Sequence, residues 1–252
     1  MKNFLIEHLW KWMGINRLLF RQDQQQFQLD KMQGIQNDIY MAMKFNDTIR
    51  ECPWLQHKSF SPGGWAVDYG CLYTLYRVLN DIHPKNILEF GLGQSSKLIH
   101  QYANYYKDAN ALTYEHDSEW IEFFNKGKTG DYNVNIYKTE LEEVEYHGIK
   151  TLSYKNNCDE LKGQKFDMIM IDAPFGSEHY SRSQILNILP NCLAKSFCII
   201  MDDYNRQGEQ ETIKEVESLL SANGIKTVKA VYRASKEHYL LCSNDLRFLS
   251  TL

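Results

Sequence analysis

From Pro84 onwards, short apolar segments with the pattern of buried strands alternate with segments that have the spacing of amphipathic helices. Parallel strands can be joined only through a crossover, which is usually a helix and is almost always right-handed. The alternation therefore predicts an α/β fold, a doubly wound and mostly parallel sheet with helices on both faces. The predicted strands are residues 86–90, 111–115, 134–137, 166–172 and 197–202, and the predicted helices are residues 95–106, 118–126, 183–193 and 209–223.

The end of the chain predicts an antiparallel hairpin at the edge of this sheet. Two further apolar runs, residues 227–232 and 238–242, are separated only by residues 233–237. That connection is too short for a parallel crossover. The two runs should therefore pair as neighbours of opposite direction.

The sequence pattern of residues 1–60 predicts a helical extension. It precedes the main domain, which we predict over residues 61–252. The extension is rich in Gln, contains no strand-like run and places leucines near helical spacing. The turn-forming sequence Ser61-Pro62-Gly63-Gly64 separates it from the first helix of the main domain, predicted over residues 65–82. We expect the extension to pack on the main domain or on a second copy of the chain, which leaves self-association open.

A weaker alternative for the extension is an amphipathic anchor that lies on a membrane surface. Its apolar and basic side chains would be Trp10, Lys11, Trp12, Arg17, Leu18, Leu19, Phe20 and Arg21. No segment approaches the ~20 consecutive apolar residues that span a bilayer, so we predict no membrane span and no signal peptide.

The amino-acid composition limits which partners the protein can bind and indicates the compartment in which it works. Lys and Arg number 28 against 32 Asp and Glu, which gives a net charge of −4 and a sequence pI near 6.1. Binding to nucleic acid needs a concentrated basic face, so we predict no nucleic-acid partner. The six cysteines form no C-x-x-C pair, which favours scattered thiols in a reducing, cytoplasmic setting.

The first predicted strand ends in a glycine turn that opens a helix, Glu89-Phe90-Gly91-Leu92-Gly93-Gln94-Ser95-Ser96. Glycine is needed where the backbone turns sharply and lets a ligand lie against it. A dinucleotide site would continue with Gly or Ala where Ser96 stands, which weakens that interpretation. Glu89 is instead suited to a nucleoside that carries an amino acid, whose ammonium group it could meet directly or through water.

The second predicted strand ends in Glu115-His116-Asp117. A carboxylate at this strand tip faces the ribose of a nucleoside held at the first strand and accepts its two hydroxyls. We predict that role for Glu115. Asp117 precedes the helix at Ser118 and is suited to capping it.

The fourth and fifth predicted strands end in Asp172 and in Asp202-Asp203. The carboxyl ends of the central strands border the ligand crevice of an open α/β sheet, so these acids should converge on one site. One of them could act as a general base while Arg182 or Arg206 orients an anionic substrate. Alternatively, the three carboxylates could bind a divalent cation.

Together these segments resemble a class I S-adenosylmethionine-dependent methyltransferase, whose Rossmann-like sheet ends in such an antiparallel pair. More narrowly, several motifs are similar in order and spacing to those of the glucuronoxylan 4-O-methyltransferase family of polysaccharide-modifying enzymes. The motifs are residues 90–93, 115–120, 137–141, 169–176 and 203–206, within a resemblance that covers about residues 84–243. The sequence departs from that family at Ser95, where the family tends to have an acid, and at Asp202, where it tends to have a histidine.

The resemblance implies that Gly91 and Gly93 approach the cofactor, S-adenosylmethionine, that Glu115 holds its ribose and that Asp172 and Asp203 border the acceptor. Together with the strand-end pattern, it leads us to predict that the cofactor is bound by Glu89, Gly91, Gly93, Ser95, Ser96, Glu115, His116 and Asp172. The predicted catalytic residues are Asp172, Asp203 and Arg182, and any metal ion would be held by Asp172, Asp202 and Asp203. The doubled acid is also reminiscent of metal-dependent sugar O-methyltransferases of antibiotic pathways. Those enzymes carry a further acid where this chain has Pro174, so we favour a metal-free site.

The function that follows is methyl transfer to a hydroxyl of a sugar or glycan. Two alternatives stay open. An aminopropyl transferase uses a similar fold and predicts an acidic pocket for a polyamine, which Arg182 and Arg206 disfavour. A noncatalytic nucleoside-binding module, whose N-terminal helices recruit a partner, would bind the cofactor without turnover.

Overall fold

The computed structural model describes residues 14–128, 130, 132–155 and 161–252. Trp10, Lys11 and Trp12 of the predicted surface anchor, and Cys158, lie outside the described residues. None of the helices within these ranges has the length and hydropathy that crossing a membrane requires.

The strands build one large sheet and one separate hairpin. They are β1 (Asn86–Phe90), β2 (Asn110–Glu115), β3 (Ile136–Lys138), β4 (Leu141–Tyr146), β5 (Ile149–Tyr154), β6 (Phe166–Ile171), β7 (Leu193–Met201), β8 (Thr227–Arg233) and β9 (Glu237–Ser243). Within the described ranges, seven strands form a sheet in the order β3-β2-β1-β6-β7-β9-β8. The first five are parallel, and β9 lies antiparallel between β7 and β8. The predicted mostly parallel sheet with an antiparallel end is confirmed.

The helices follow the predicted alternation. They are α1 (Ile15–Thr48), α2 (Tyr69–Ile82), α3 (Gln94–Tyr105), α4 (Ser118–Gly127), α5 (Gln184–Ile188) and α6 (Gln207–Ala222), with a 3₁₀ helix over Asn244–Thr251. Helix α2 begins later than predicted because Asp68 caps it, its carboxylate accepting a hydrogen bond from the backbone N–H of Cys71 at 2.9 Å. Asp117 caps α4 in the same way, as predicted.

Two predicted segments differ from the structure. The helix predicted over residues 183–193 is only the short α5, because Pro190 cannot continue a helix and Leu193 already begins β7. The hairpin of β4 and β5 was not predicted. No residue of β4 is fully buried and three of its residues are exposed glutamates, Glu142, Glu143 and Glu145, while two of the three buried residues of β5 are the polar Thr151 and Ser153. A pattern of buried apolar residues, which is what reveals strands in a sequence, is therefore weak there.

The large sheet carries a hydrophobic core on each face. Met168 and Met170 of β6 belong to one core, beneath α2 and α3, and Ile169 and Ile171 belong to the other, beneath α5 and α6. All four side chains are fully buried. This is the burial on both faces that the apolar run in β6 predicts.

Helix α1 is anchored at one end and exposed along most of its length. Phe45 is fully buried in the core beneath α2, and the carboxylate of Asp38 accepts a hydrogen bond from the N–H of Tyr69 at 2.9 Å. Farther towards the N-terminus its apolar side chains are exposed, Leu18 and Phe27 by 62% each. The predicted extension is thus helical from Ile15, and its last residues contribute to the main core.

Candidate active site

A cleft lies at the carboxyl ends of β1, β2 and β6, where an open α/β sheet binds its ligands. It consists of two adjacent cavities, of about 700 Å³ and about 430 Å³, and both are lined by Trp65 and Asp172. The first cavity is also lined by Ser61, Gly63, Ala66, Gly91, Leu92, Gly93, Gln94, Lys97, Glu115, Trp120, Phe123, Phe124, Gly127 and Ala173. The second is also lined by Gly64, Phe175, Arg182, Asp203 and Arg206.

The glycine turn forms the floor of the first cavity. Gly91 has a φ of 103°, a conformation that L side chains rarely adopt, and a Cβ there would lie 2.7 Å from the Cβ of Ala173. A Cβ on Gly93, in contrast, would meet nothing within 4 Å. Gly91 is therefore required by the packing of the turn, whereas Gly93 leaves free space on the cavity side.

Glu115 presents a fixed carboxylate to the same cavity. Its Oε2 accepts a hydrogen bond from the N–H of Leu92 at 3.0 Å, and its Oε1 accepts from the N–H of His116 at 2.7 Å and of Asp117 at 3.0 Å. Only 4% of the residue is exposed. The backbone thus orients this carboxylate in advance, and His116 contributes both its backbone N–H and its ring, whose Nδ1 lies 2.9 Å from Oε1 of Glu115.

Glu89 differs from its predicted role. Its carboxylate is fully buried and accepts hydrogen bonds from the hydroxyls of Ser95 at 2.7 Å, Ser96 at 2.8 Å and Thr113 at 2.6 Å. Burial raises the pKa of Glu89 to about 7, although the hydrogen bonds to the hydroxyls oppose this shift. Glu89, Ser95 and Ser96 therefore tie the first turn of α3 to the sheet, and direct contact of Glu89 with a cofactor ammonium group is not supported by this placement.

An aromatic wall completes the first cavity and was missed by the sequence reasoning. Trp120, Phe123 and Phe124 of α4 line it, with the rings of Trp120 and Phe123 stacked at a centroid distance of 5.3 Å. The indole N–H of Trp120 donates to the carbonyl of Leu92 at 2.7 Å. Trp120 lies in the motif at residues 115–120, but the sequence alone did not indicate that its side chain faces a cavity.

The predicted convergence of the acidic strand ends is observed. One carboxylate oxygen each from Asp172, Asp202 and Asp203 lies within 4.8 Å of the others. Arg182 is buried among these acids, with Nη2 at 2.8 Å from Oδ2 of Asp203 and 3.4 Å from Oδ1 of Asp172. Its Nη1 donates to the carbonyl of Asp202 at 2.8 Å. Both Arg182 and Asp203 have positive φ angles, 61° and 56°, a strained conformation that clusters at functional sites.

Two more cations contact this cluster. Nζ of Lys236, in the turn between β8 and β9, lies 3.2 Å from Oδ1 of Asp203 and 3.5 Å from Oδ2 of Asp202. Nη1 of Arg206 lies 3.1 Å from Oδ2 of Asp203. The sequence reasoning missed Lys236, because an isolated lysine in a hairpin turn carries no signal until the hairpin is placed in the sheet.

The three aspartates have different proton affinities. Burial, and then the neighbouring Asp202, raise the pKa of Asp172 well above its usual range. Burial also raises the pKa of Asp202, to about 6. Burial alone would raise the pKa of Asp203 too, but the three cationic groups around it lower that pKa below its ordinary value. Asp172 is therefore the better proton acceptor of the two aspartates that line the second cavity.

A short segment before α2 lies over both cavities. It contains Trp65, which is 81% exposed and whose ring lies 4.9 Å from the ring of Phe175. The guanidinium of Arg206 lies 6.0 Å from the centre of the Phe175 ring. Two exposed aromatic rings and a half-exposed arginine thus border the second cavity.

No protein-family model and no curated protein matches the chain. Among solved structures, a Staphylococcus aureus protein assigned to the caffeoyl-CoA O-methyltransferases has a TM-score of 0.50 at 16% identity, with 82% of this chain and 99% of that chain covered. The SAH-bound Podospora anserina methyltransferase PaMTH1 matches with a TM-score of 0.47 at 16% identity, over 82% of this chain and 86% of that chain. An O-methyltransferase from Bacillus cereus in complex with SAH gives 0.48 at 15% identity, over 82% and 90%.

The first of these similarities identifies the fold. At 16% identity it shows that this chain and that structure share their overall fold. The narrower resemblance to glucuronoxylan 4-O-methyltransferases is not confirmed.

Proposed function

We propose that the protein is an S-adenosylmethionine-dependent methyltransferase and that the first cavity holds the cofactor. The cavity volume lies within the ~300–1,000 Å³ typical of small-molecule sites. The fixed carboxylate of Glu115 suits the two ribose hydroxyls, the free space at Gly93 suits the approach of a ligand to the backbone, and the aromatic wall of α4 suits a nucleobase.

We place the methyl transfer where the two cavities meet, at Asp172. S-adenosylmethionine, when bound, would supply an activated methyl group. Asp172, which lines both cavities, would accept the proton of the acceptor hydroxyl, and its raised pKa suits a general base. Arg182 pairs with Asp172 and Asp203 and holds them in place. The position of Asp172 at this junction is the observation that carries the proposal.

For the acceptor we propose a hydroxyl of an acidic sugar or glycan, bound in the second cavity. The exposed rings of Trp65 and Phe175 offer apolar faces on which a sugar ring can stack, and Arg206 can pair with a carboxylate. An aminopropyl transferase would instead have to bind a polyamine in this cavity. The positive charges of Arg182 and Arg206 would repel such a polycation.

Two measurements test this function. Calorimetry with S-adenosylmethionine and SAH should show binding to the wild type and none to a folded Gly93→Val variant, whose side chain would enter the cavity. A mass-shift screen with labelled cofactor should then show methylation of uronic acids or acidic glycans in preference to neutral sugars. Binding of NADH instead of S-adenosylmethionine would contradict the proposal. Methylation of phenolic acids alone would retain the enzyme class but overturn the sugar acceptor.

We also propose that α1 pairs with α1 of a second copy of the chain. Exposed positions repeat along it in alternate steps of four and three residues, the spacing of a coiled-coil seam. They are Leu18, Gln22, Gln25, Leu29, Met32, Gln36, Ile39 and Met43. In a parallel, in-register pair of α1 helices, each glutamine of the seam lies opposite the same glutamine of the second chain. Each apolar residue of the seam likewise lies opposite its counterpart.

Light scattering across a range of concentrations tests the pairing. The wild type should be dimeric, and a variant with Leu29→Glu and Met32→Glu should be monomeric while its main domain stays folded. A wild type that is monomeric throughout would contradict the proposal. If that monomer bound anionic vesicles, the surface-anchor alternative would replace it.

A further inference from the structure

The three aspartates at the ends of β6 and β7 have the composition of a divalent-metal site. Their oxygens converge within 4.8 Å, and oxygen ligands of this kind are what Mg²⁺ and Mn²⁺ prefer. Asp202 is fully buried, and among the described residues its Oδ1 has no hydrogen-bond partner. An unpaired buried carboxylate oxygen is costly, so such an atom usually has a ligand or a nearby cation.

The structure places a cationic side chain against the other oxygen of this carboxylate. The ammonium group of Lys236 lies 3.5 Å from Oδ2 of Asp202 and 3.2 Å from Oδ1 of Asp203, so it sits between two of the three carboxylates, while Oδ1 of Asp202 keeps no hydrogen-bond partner among the described residues. The lysine is only 15% exposed, and its Nζ also donates to the carbonyl of Ala66 at 2.9 Å. Its backbone N–H donates to Oδ2 of Asp68 at 2.8 Å. Both ends of the residue are therefore fixed.

A metal ion does not fit the cluster while Lys236 is in this position. A divalent cation would need oxygens of Asp202 and Asp203 at ~2.0–2.6 Å. Both oxygens of Asp203 already accept hydrogen bonds or ion pairs, Oδ1 from Lys236 and Oδ2 from Arg182. An ion that bridged the two aspartates would also meet the positive charge of the ammonium group at close range.

We propose that Lys236 is a tethered cation that takes the place of a divalent metal ion in this cluster. It balances charge between Asp202 and Asp203 and, through Ala66, fastens the segment that carries Trp65 over both cavities. Lys236 is thus a positioning residue. Its effect on catalysis rests on the proposed methyltransferase function, whereas its effect on metal binding does not.

The proposal is tested by Mn²⁺ titration of the full chain without cofactor, followed by electron paramagnetic resonance. The wild type should bind no Mn²⁺ at this cluster. Lys236→Met removes the charge but keeps an unbranched side chain, and it should bind Mn²⁺ at least ~100-fold more tightly, since a like-charge contact costs several kcal/mol. Lys236→Arg should restore the wild-type result. Lys229→Met, an exposed lysine of the same hairpin paired with Glu217, is the matched control and should change nothing.

Two further measurements complete the test. Adding Asp203→Asn to Lys236→Met should abolish the gained Mn²⁺ binding, which locates it at the cluster. Chelator should leave methyl transfer by the wild type unchanged. Mn²⁺ binding by the wild type that is lost in Asp203→Asn would overturn the proposal, and this result does not depend on the folding of any lysine variant. A folded Lys236→Met that gains no Mn²⁺ binding would overturn it as well. Failure to bind S-adenosylmethionine would contradict only the proposed function.

Discussion

The two cavities of the cleft are built in different ways. The first takes most of its polar side chains, Gln94, Lys97 and Glu115, from one stretch of chain, the β1-α3-β2 unit, and Glu115 is held by backbone N–H groups of residues 92, 116 and 117. The second takes its charges from distant stretches. Arg182, Asp203 and Arg206 lie beside Asp172 there, and Lys236 reaches Asp203 from behind, only because β6, β7 and the β8–β9 hairpin are neighbours in the sheet.

Because of this difference, substitutions in the first cavity and in the second cavity should have different effects. Backbone N–H groups and hydroxyls remain in place when one side chain changes, so a substitution in the first cavity should affect ligand affinity and little else. In the second cavity, acidic and basic side chains are buried together, and each compensates the charge of its neighbours. Substitutions there should affect stability or turnover, while the affinity for the cofactor stays.

The largest effect is expected for Arg182→Met. The guanidinium is 2% exposed and contacts Asp172, Asp203 and Glu209, so its removal leaves buried carboxylates uncompensated. We expect a loss of ~3–5 kcal/mol in the free energy of unfolding, measured by urea denaturation. Arg206→Met is the control, because Arg206 contacts the same Asp203 but is 42% exposed. It should cost under ~1 kcal/mol, and equal losses for the two variants would contradict the charge-compensation argument.

Asp172→Asn should lower turnover by ~10²-fold or more with cofactor affinity retained, because Asn cannot accept the proton. Single-turnover kinetics and calorimetry separate the two quantities. Since the ionised form of Asp172 is the base and its pKa is raised, the wild-type rate should increase with pH, and the variant should lose that dependence. A larger loss in Asp203→Asn than in Asp172→Asn would move the base to Asp203.

Glu115→Ala should weaken the binding of S-adenosylmethionine by at least ~10-fold, the scale of a lost hydrogen bond to a charged group. Asp117→Ala sharpens the comparison. It removes the cap of α4, where Asp117 accepts from the N–H groups of Glu119 and Trp120, and should cost ~1 kcal/mol of stability without a comparable loss of affinity. Unchanged affinity in a folded Glu115→Ala variant would remove Glu115 from the cofactor site.

The stability of the protein should depend on pH through Glu89, the buried acid beneath the first cavity. Its folded-state pKa of about 7 lies above the ordinary value of 4.5, so its stabilising contribution is full below pH 4.5 and is lost as the pH rises through 7. The free energy of unfolding should therefore fall by roughly 2–3 kcal/mol between pH 5 and pH 8. Glu89→Gln, which cannot ionise, should flatten this part of the profile in denaturation experiments, and an unchanged slope would show that Glu89 does not titrate there.

The comparison also explains which parts of the site could be predicted. Gly91, Gly93 and Glu115, which the sequence predicts at the site, line the first cavity because each lies at or near a strand end within a single βα unit, where spacing along the chain fixes position in space. Glu89 lies in the same unit but is not among the residues that line the cavity. Side chains alternate along β1, and this residue shares a face with buried Ile87 beneath α3, not the cavity side.

Local sequence patterns were enough to predict the alternating strands and helices, the parallel sheet with its antiparallel end and the acids at the strand ends. These follow from local periodicity and from the few ways in which βαβ units can connect. Only the tertiary structure decided that Lys236 reaches Asp202 and Asp203, that Trp65 lies over the cleft and that α4 supplies an aromatic wall. Each of these depends on a contact between segments far apart in the chain, and such contacts are set by register and packing that no local pattern encodes.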